Sequence, residues 1–423
     1  MHTRICFFLS LILAACGGGG GGGSASNTQS SGATSSTAPA SSSSSASSTT
    51  ASNVTGCSTP TGRVLEVGPG KTYATPSAAA TVALDGDTVR IAAGNYNGDV
   101  ATWTRANLTI CGVGGQAHVY ANGNSAGGKA IWVAAGNNMV VENIVFHDAA
   151  VADQNGAGIR IEPNVNITIR GCGFLDSENG ILGGSGTSNI VIERSEFARN
   201  GRGDGYTHGL YIGTANSLTV RQSFFHSTRI GHNLKSRAKS NRIENSYFMD
   251  GNSGTASYQV EFPNGGEVFL RGNLIQKGPN ADNGVSVSFG AEGISTWPTN
   301  TMELRHNTLV STLNGGVSLY AAPGIQSLTL VANLFAGNAG LLAGLATNSG
   351  VFTQQSSVTT AASNLPGATS INAPNFWPAA GVLGSLALAG VPDAQYLQDS
   401  PTPLTSRAIN GSTRLVGALQ AAP

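Results

Sequence analysis

Titratable side chains of several kinds are concentrated between residues 208 and 248 of the chain. This stretch holds three of the seven histidines, and six basic residues without any acid lie between Arg221 and Arg242. The whole chain is only 10% charged and has a formal net charge of zero. Positive charge is therefore placed locally, where it could neutralise an anionic ligand. A neutral chain offers no general electrostatic attraction to nucleic acid, so no nucleic-acid partner is expected.

Four short segments in and after this stretch alternate between apolar and polar residues, a period of two that predicts β-strands. They are HGLYIG, HNLKSR, YQVEF and SVSF, and their apolar positions Leu210, Leu234, Val260 and Val287 recur at intervals of 24, 26 and 27 residues. If each interval is one coil of a solenoid, the strands stack about 5 Å apart with matching outward positions. The outward ladder predicted in this way contains Tyr211, Lys235, Glu261 and Ser288.

Further side chains are predicted to join this ladder in one patch. Asn233 and Arg237 flank Lys235 on its own strand, and His208 and His232 begin their strands at matching places one coil apart. Because the alternation turns both histidines inward, either can equally be a structural residue at a corner. The candidates for catalysis are Lys235, Arg237, His208, Tyr211 and His232. The candidates for substrate binding are Glu261, Asn233, Gln259 and Tyr258.

These residue types suit the removal of a proton next to a carboxylate, as in the cleavage of a glycan that contains uronic acids. The carboxylate must be neutralised so that the developing enolate is stabilised, and the planar fork of Arg237 suits that task. Lys235 could act as the base if neighbouring positive charge favours its neutral form. Tyr211 or His208 could then donate a proton to the leaving oxygen.

Three roles are open for Glu261. It could orient Lys235, bind a sugar hydroxyl or help to hold Ca²⁺, for which Asp204 and Glu292 are weaker additional candidates. Epimerisation at C5 begins with the same proton abstraction as β-elimination, so these residues do not separate a lyase from an epimerase. The remaining basic residues of the stretch are interpreted as ordinary solvated charges on the outside of a solenoid.

From about residue 62 onward the chain repeats a short signature that ends in a large apolar residue. The steps between successive signatures run from 23 to 34 residues. The signatures end at Phe146, Phe174, Phe197, Phe225, Phe248, Ile275, Leu309 and Phe335. Short strands repeated at this length without helical segments predict an all-β fold, a single-stranded parallel β-helix in which each coil pairs with the next. Asn273, Asn307 and Asn333, each two residues before a signature ends, are expected to stack as a ladder at one turn.

The repeat region resembles a known family. From VGPGKTYATPSAAATVALDGDTVRIAAGNY at residues 67–96 to Phe335, the chain resembles the pectate-lyase-like right-handed parallel β-helix proteins, with an N-terminal capping pattern. The tail DAQYLQDSPTPLTSRAINGSTRLVGALQ is similar to the segment that often closes bacterial β-helix proteins. The resemblance implies a β-helix over residues 57–345 and a C-terminal covering segment over residues 346–423. A β-sandwich or a propeller fits less well, because sandwich strands do not share a register motif and propeller repeats are about 40 residues long.

The N-terminal part of the chain predicts export and attachment to a membrane. Arg4 is followed by the apolar run ICFFLSLILAA, which is too short for an ordinary spanning helix and ends at Cys16. The sequence LAAC that ends there resembles the bacterial lipobox, which implies a signal peptide over residues 1–15 and lipidation of Cys16. Residues 16–56 continue as a glycine-rich and serine-rich linker. Gly17 favours the outer membrane by analogy with other lipoproteins, so we expect a lipid-anchored protein of the bacterial cell envelope.

Three cysteines remain beyond the signal and lipid positions, namely Cys57, Cys111 and Cys172. Export would permit one disulfide, and Cys57 to Cys111 is the favoured pairing. No pair has the spacing of a zinc site, so all three cysteines are interpreted as structural.

The resemblance implies work on carbohydrates without choosing the reaction, because proteins of this fold include lyases, hydrolases, epimerases and adhesins. The favoured hypothesis is a tethered lyase or C5-epimerase on an acidic polysaccharide, and the alternative is a non-catalytic glycan-binding or adhesive lipoprotein. A glycoside hydrolase is disfavoured, because GHN at residues 231–233 matches the GHG of related hydrolases only in part and no pair of carboxylates is evident. Ca²⁺ is the one cofactor that the resemblance suggests, and the protein is expected to be a monomer.

Overall fold

The computed structural model of this chain describes residues 57, 60, 62–379, 387–388 and 414–419. These residues form a right-handed solenoid in which the strands of successive coils pair in parallel. The prediction of an all-β parallel β-helix is therefore confirmed. The predicted signal peptide, the lipidated Cys16 and the linker lie outside the described residues.

The solenoid consists of two parallel sheets that share one core. The ten-stranded sheet contains Ala101–Trp103, Ala130–Ala134, Ala157–Ile161, Asn179–Gly183, Leu210–Ile212, Leu234–Ser236, Val260–Phe262, Val285–Phe289, Val317–Ala321 and Gly340–Ala343. The 21-stranded sheet contains Val64–Val67, Thr88–Asn97, Thr109–Tyr120, Met139–Glu142, Ile144–His147, Ile167–Arg170, Gly173–Leu175, Asn189–Glu193, Glu196–Ala198, Ser217–Arg221, Phe224–His226, Ser240–Glu244, Tyr247–Met249, Glu267–Arg271, Leu274–Lys277, Thr301–Arg305, Thr308–Ser311, Ser327–Val331, Leu334–Gly337, Phe352–Gln355 and Val358–Thr360. One antiparallel pair, Ala387–Leu388 with Arg414–Leu415, stands apart from both sheets.

A typical coil contributes one strand to the ten-stranded sheet and then two strands to the larger sheet. The coil at the centre of the molecule runs through Leu234–Ser236, Ser240–Glu244 and Tyr247–Met249. A sharp bend separates the last two strands, and one residue in each bend has a positive φ between 47° and 63°. These residues are Asn143, Gly171, Arg194, Gln222, Asn245, Gly272, His306, Ala332 and Ser356. For a residue other than glycine this conformation costs about 1–2 kcal/mol, so the bend needs compensation from its neighbours.

A hydrogen-bonded ladder immediately after the bend provides that compensation. Asn307 Oδ1 accepts from both the backbone N and Nδ2 of Asn273 at 2.9 Å, and Asn333 Oδ1 accepts in the same way from Asn307. This is the asparagine ladder that the sequence predicts. Serine hydroxyls extend it in both directions, at Ser195, Ser223, Ser246 and Ser357. The ladder joins eight successive coils at the same corner.

Aromatic rings stack through the core beneath the same corner. The rings of Phe146, Phe174, Phe197, Phe225 and Phe248 follow one another with centroid separations of 4.3 to 5.2 Å and nearly parallel planes. All five are fully buried, and burial of each ring contributes about 1.5–3 kcal/mol of transfer free energy. The repeated signature in the sequence therefore marks the same inward-facing position on successive coils.

An alternating row of ionic side chains lies on the outside of the larger sheet. Arg170 contacts Glu142 at 3.1 Å and Glu193 at 2.9 Å, and Arg221 contacts Glu193 at 3.3 Å and Glu244 at 3.1 Å. Arg242 adds a contact of 2.7 Å to Glu244. Two of the basic residues in the stretch from residue 221 to residue 242 thus belong to a row of structural ion pairs.

The N-terminal end of the core is closed by a short helix, Pro76–Val82. Thr75 caps this helix by accepting a hydrogen bond from Ala78 N, and Pro76 occupies its first turn, where a missing N–H is tolerated. Ala79 is buried in the main core. None of the described helices is long and apolar enough to cross a membrane.

The three cysteines beyond the predicted lipidation site have structural roles, as the sequence predicts. Cys57 and Cys111 are joined by a disulfide. The thiol of Cys172 is buried, and burial raises its pKa to about 12, so it is an inert group in the wall of the core.

The C-terminal boundary predicted at residue 345 is too early. Phe352–Gln355 and Val358–Thr360 continue the parallel pairing, with Leu328 opposite Phe352 and Leu334 opposite Val358. The chain then enters a 3₁₀-helix, Ala362–Asn364.

The covering segment packs on a lateral face of the solenoid. Outward-facing apolar residues of the larger sheet provide this face, at Phe224, Tyr247, Met249, Leu274, Val310 and Leu334. The segment covers them with Leu365, Ala368, Phe376, Val416, Ala418 and Leu419. Such a cover stabilises the fold, because it removes the apolar surface of these outward side chains from water.

We predict that Asn307→Ala lowers the free energy of unfolding by about 2–4 kcal/mol, because it leaves buried donors and acceptors of neighbouring coils without partners. Urea-induced unfolding monitored by circular dichroism measures this change. Asn314→Ala, at an exposed turn, should alter stability by less than about 0.5 kcal/mol. Equal effects of the two substitutions would show that the ladder does not stabilise the fold.

Candidate functional site

The candidate site lies on the outward face of the ten-stranded sheet and spans neighbouring coils. Tyr211 pairs with Lys235, Lys235 with Glu261 and Glu261 with Ser288 in parallel register. This register is the one predicted from the apolar alignment. The pleat turns these four side chains away from the core, and Glu292 of the loop of residues 290–300 contacts Lys235.

The ammonium group of Lys235 lies between two carboxylates. Its Nζ is 3.3 Å from Glu261 Oε2 and 2.9 Å from Glu292 Oε1. Only 11% of the lysine side chain is exposed, so these charges interact more strongly than they would on an open surface. The position of the amine is therefore fixed by charge as well as by the strand.

Arg237 follows the same strand and is held from several sides. Its Nε donates to the hydroxyl oxygen of Tyr211 at 2.9 Å, and its Nη1 donates to Asn264 Oδ1 and lies 2.7 Å from Glu292 Oε2. Trp297 Nε1 donates to the backbone carbonyl of Arg237 at 3.2 Å. Burial disfavours the charged form, but the bonds to Glu292 and Tyr211 leave the pKa of Arg237 above its ordinary value. The guanidinium is therefore a fixed and permanent positive charge.

Glu292 connects the two cations. One of its carboxylate oxygens contacts Lys235 and the other contacts Arg237. Burial opposes ionisation here, but the hydrogen bonds from Arg237 and Lys235 outweigh it and lower the pKa of Glu292 to about 2. The two basic side chains thus form a site that holds one carboxylate between them.

Glu261 is a second carboxylate at the site, but it lies deeper. It is only 2% exposed, and its Oε2 is 3.2 Å from His232 Nε2 as well as 3.3 Å from Lys235 Nζ. Burial alone would raise its pKa, yet the contacts with His232 and Lys235 lower the pKa of Glu261 below its usual value. Glu261 therefore remains ionised and anchors Lys235 from below.

The two candidate histidines stack beneath the patch. The rings of His208 and His232 are 4.5 Å apart and nearly parallel, and each is almost completely buried. His208 Nδ1 accepts from the backbone N of His232 at 3.0 Å. Burial lowers the pKa of both histidines, and for His208 the neighbouring His232 and Lys235 lower it further. The lowered pKa values keep both imidazoles neutral at physiological pH. Because both rings are almost completely buried, neither has direct access to a substrate, and the structure does not support the predicted catalytic roles of His208 and His232.

The predicted roles of Asn233 and Gln259 in substrate binding are not supported, because neither side chain reaches the outward patch. Both are fully buried, and Asn233 Nδ2 donates to Gln259 Oε1 at 2.6 Å. The row continues inside the wall as Gln259 Nε2 donates to Asp250 Oδ2 at 2.7 Å, and Asn233 Oδ1 accepts from Thr228 at 2.7 Å. These amides satisfy one another at a corner, so they cannot bind a substrate directly.

The two candidate tyrosines lie at the edge of the patch. Tyr211 stacks on His208 with a centroid separation of 5.7 Å, and its hydroxyl oxygen accepts from Arg237, so its own proton is available to a ligand. Tyr258 is partly buried, with its ring 4.9 Å from that of His232, and burial raises its pKa. Substrate binding by Tyr258 stays a prediction.

The residues present do not fit a Ca²⁺ ion. Among the residues that the structure describes, no group of three or more histidine, cysteine, aspartate or glutamate side chains could hold a metal. A cation beside Glu261 or Glu292 would also lie next to Lys235 or Arg237. Asp204 accepts hydrogen bonds within its own loop instead. The chemistry of the site is therefore derived without a metal.

Sequence reasoning missed the contacts of Glu292 and Asn264 with the two cations. Both residues lie in loops, where no strand period assigns a direction to a side chain. One signal was present, because the interval of 34 residues between Ile275 and Leu309 is the longest in the repeat and contains the loop of residues 290–300. An insertion of that kind on one coil often carries function.

Comparison with known proteins supports the fold. A family model described as right handed beta helix region matches residues 203–365, which include every residue of the site. Among solved structures, pectate lyase Pel9A is 12% identical, with a TM-score of 0.55 over 85% of this chain and 97% of that chain. A mutant of the family PL6 alginate lyase AlyGC is 14% identical, with a TM-score of 0.35 over 70% of this chain and 51% of that chain. None of the curated proteins matches the sequence significantly.

The match to Pel9A at 12% identity concerns architecture alone, since a shared fold does not transfer a reaction. The parallel pairing of successive coils described above is consistent with that architecture. Together with the family-model match over residues 203–365, this likeness shows that the chain has a right-handed parallel β-helix fold.

Proposed function

We propose that the protein is a polysaccharide lyase that acts on a glycan containing uronic acids, at the surface formed by Lys235, Arg237 and Tyr211. One observation carries the proposal: Lys235 and Arg237 hold a single carboxylate between them, at 2.9 and 2.7 Å. A uronic acid presents the same chemical group beside the proton that a lyase removes. The lyase-like fold and the pectate lyase neighbour add general support.

In the proposed reaction Arg237 pairs with the uronate carboxylate and lowers the energy of the enolate that develops there. Lys235 pairs with the same carboxylate as the substrate binds and then loses a proton to water, so that its neutral Nζ takes the proton from C5. The electron pair of that C–H bond forms the C4=C5 double bond. The bond from C4 to the glycosidic oxygen breaks, and the hydroxyl of Tyr211 protonates the leaving oxygen. Glu261, buried below, keeps Lys235 in position, and His232 keeps Glu261 ionised. C5 epimerisation would share the first step and return a proton to the opposite face of C5.

A glycoside hydrolase fits the site less well, although the structure does bring two carboxylates together. Glu261 and Glu292 both contact Lys235, so they are close enough to be compared with the paired carboxylates of glycosidases. A hydrolase needs one of its carboxyls protonated near neutral pH, which requires a raised pKa. Both pKa values are lowered here, that of Glu292 to about 2, so neither group can serve as the acid.

We predict that Lys235→Met abolishes ultraviolet absorbance by unsaturated products when the purified protein is incubated with alginate, pectate or chondroitin polymers. Loss of the base should reduce turnover by about 10²- to 10⁴-fold. Lys239→Met is the matched control, because Lys239 is exposed two residues beyond Arg237 and contacts no group of the site. An absence of unsaturated product with every polymer, while uronate polymers still bind, would favour the non-catalytic glycan-binding alternative.

We predict that Tyr211→Phe lowers kcat by about 10²-fold or more while KM changes little, because it removes the proton donor and keeps the ring over which Arg237 lies. Initial rates at several polymer concentrations separate the two constants. Tyr120→Phe, on the other sheet, controls for loss of a partly exposed hydroxyl. Full activity of Tyr211→Phe would remove Tyr211 from the mechanism.

We further propose that lipid on Cys16 anchors the protein in the bacterial cell envelope, on the outer membrane. The support is the sequence LAAC followed by a linker rich in glycine and serine. Metabolic labelling with radioactive palmitate should mark the intact protein and leave Cys16→Ser unlabelled. Labelling of both forms, or of neither, would contradict anchoring through Cys16.

A further inference from the structure

The carboxylate subsite of the proposed function is already filled by a side chain of the protein. Glu292 presents one oxygen to Lys235 Nζ at 2.9 Å and the other to Arg237 Nη1 at 2.7 Å. A uronate that binds these two cations must occupy the position of the Glu292 carboxylate, because it would accept hydrogen bonds from the same N–H groups of Lys235 and Arg237. Binding is therefore an exchange of one carboxylate for another.

The backbone of the loop that carries Glu292 is fixed to the solenoid. Glu292 N donates to Pro263 O at 2.9 Å, and Gly293 N donates to Gly290 O at 2.9 Å. Trp297 Nε1 donates to the carbonyl of Arg237, and Ile294 packs against the main core. A ligand is thus not expected to displace the loop as a whole.

The side chain of Glu292 is free to leave, in contrast to that of Glu261. It is 42% exposed, whereas the side chain of Glu261 is 3% exposed. Rotation about the side-chain bonds of Glu292 would carry its carboxylate into water, where the charge is fully solvated. Arg237 would stay in place, because Tyr211 and Asn264 hold it independently of Glu292.

We propose that Glu292 is a specificity-determining residue, an internal competitor that keeps the carboxylate subsite closed to any ligand that cannot replace its charge. This inference rests on the proposed function, in which the subsite receives a uronate. A neutral sugar would have to leave Lys235 and Arg237 without their shared anion, which is costly at a partly buried site. A uronate restores both ion pairs and leaves the released glutamate in water.

The test is Glu292→Gln in the purified full chain, which keeps the shape of the side chain and removes its charge. Isothermal titration with glucuronate, galacturonate and glucose should show about tenfold tighter binding of the two uronates, and glucose should also bind more tightly, because it no longer has to break the two ion pairs of Glu292. The matched control is Glu303→Gln, a glutamate of similar exposure that pairs with Arg305 on the other sheet and should leave uronate affinity unchanged.

A second measurement does not depend on any sugar. Acetylation of Lys235 and phenylglyoxal modification of Arg237, followed by mass spectrometry, should become several times faster in Glu292→Gln, whereas Lys239 should react as before. Faster modification without uronate binding by either form would overturn the proposed function and leave Glu292 as the occupant of the subsite. Equal or weaker uronate binding by Glu292→Gln would overturn the competitor role and leave the proposed function standing.

Discussion

Coil-to-coil register is the constraint on which the rest of this structure depends. Each strand pairs in parallel with the strands one coil away, so a residue on one coil fixes the height and direction of its equivalents on the next. The ladder through Asn273, Asn307 and Asn333 secures that register at a corner, because a shift of one residue would unpair its buried amides. Tyr211, Lys235 and Glu261 become neighbours for this reason alone, although 24 and 26 residues separate them along the chain.

The same register explains how the protein keeps two cations close together on a fold with few charges. Lys235 and Arg237 share one strand, and their mutual repulsion is offset by Glu261 below and Glu292 above. Glu261 is buried and part of the wall, whereas Glu292 comes from a loop and faces water. One carboxylate is thus structural and the other is exchangeable, and that difference in burial is what makes the site suitable for an anionic ligand.

Features that repeat along the chain could be predicted from the sequence, and those that interrupt the repeat could not. The aromatic stack through Phe146 to Phe248 and the outward row through Lys235 follow from a period of two within strands and one coil between them. Asn233 and Gln259 precede their strands at a corner, where alternation no longer gives the direction of a side chain, so they turn inward instead of outward. Glu292 lies in a loop, where no strand period predicts the direction of a side chain, so its contact with Arg237 could not be predicted from the sequence.

The central claim is that the site of Lys235 and Arg237 removes the C5 proton of a uronic acid. The most direct measurement is nuclear magnetic resonance of uronate polymers after incubation with the protein in deuterated water. We expect the vinyl proton of a C4=C5 double bond at new chain ends, whereas an epimerase acting through the same first step would instead place deuterium at C5. Polymers that acquire neither unsaturated ends nor deuterium at C5 would contradict proton abstraction at this site.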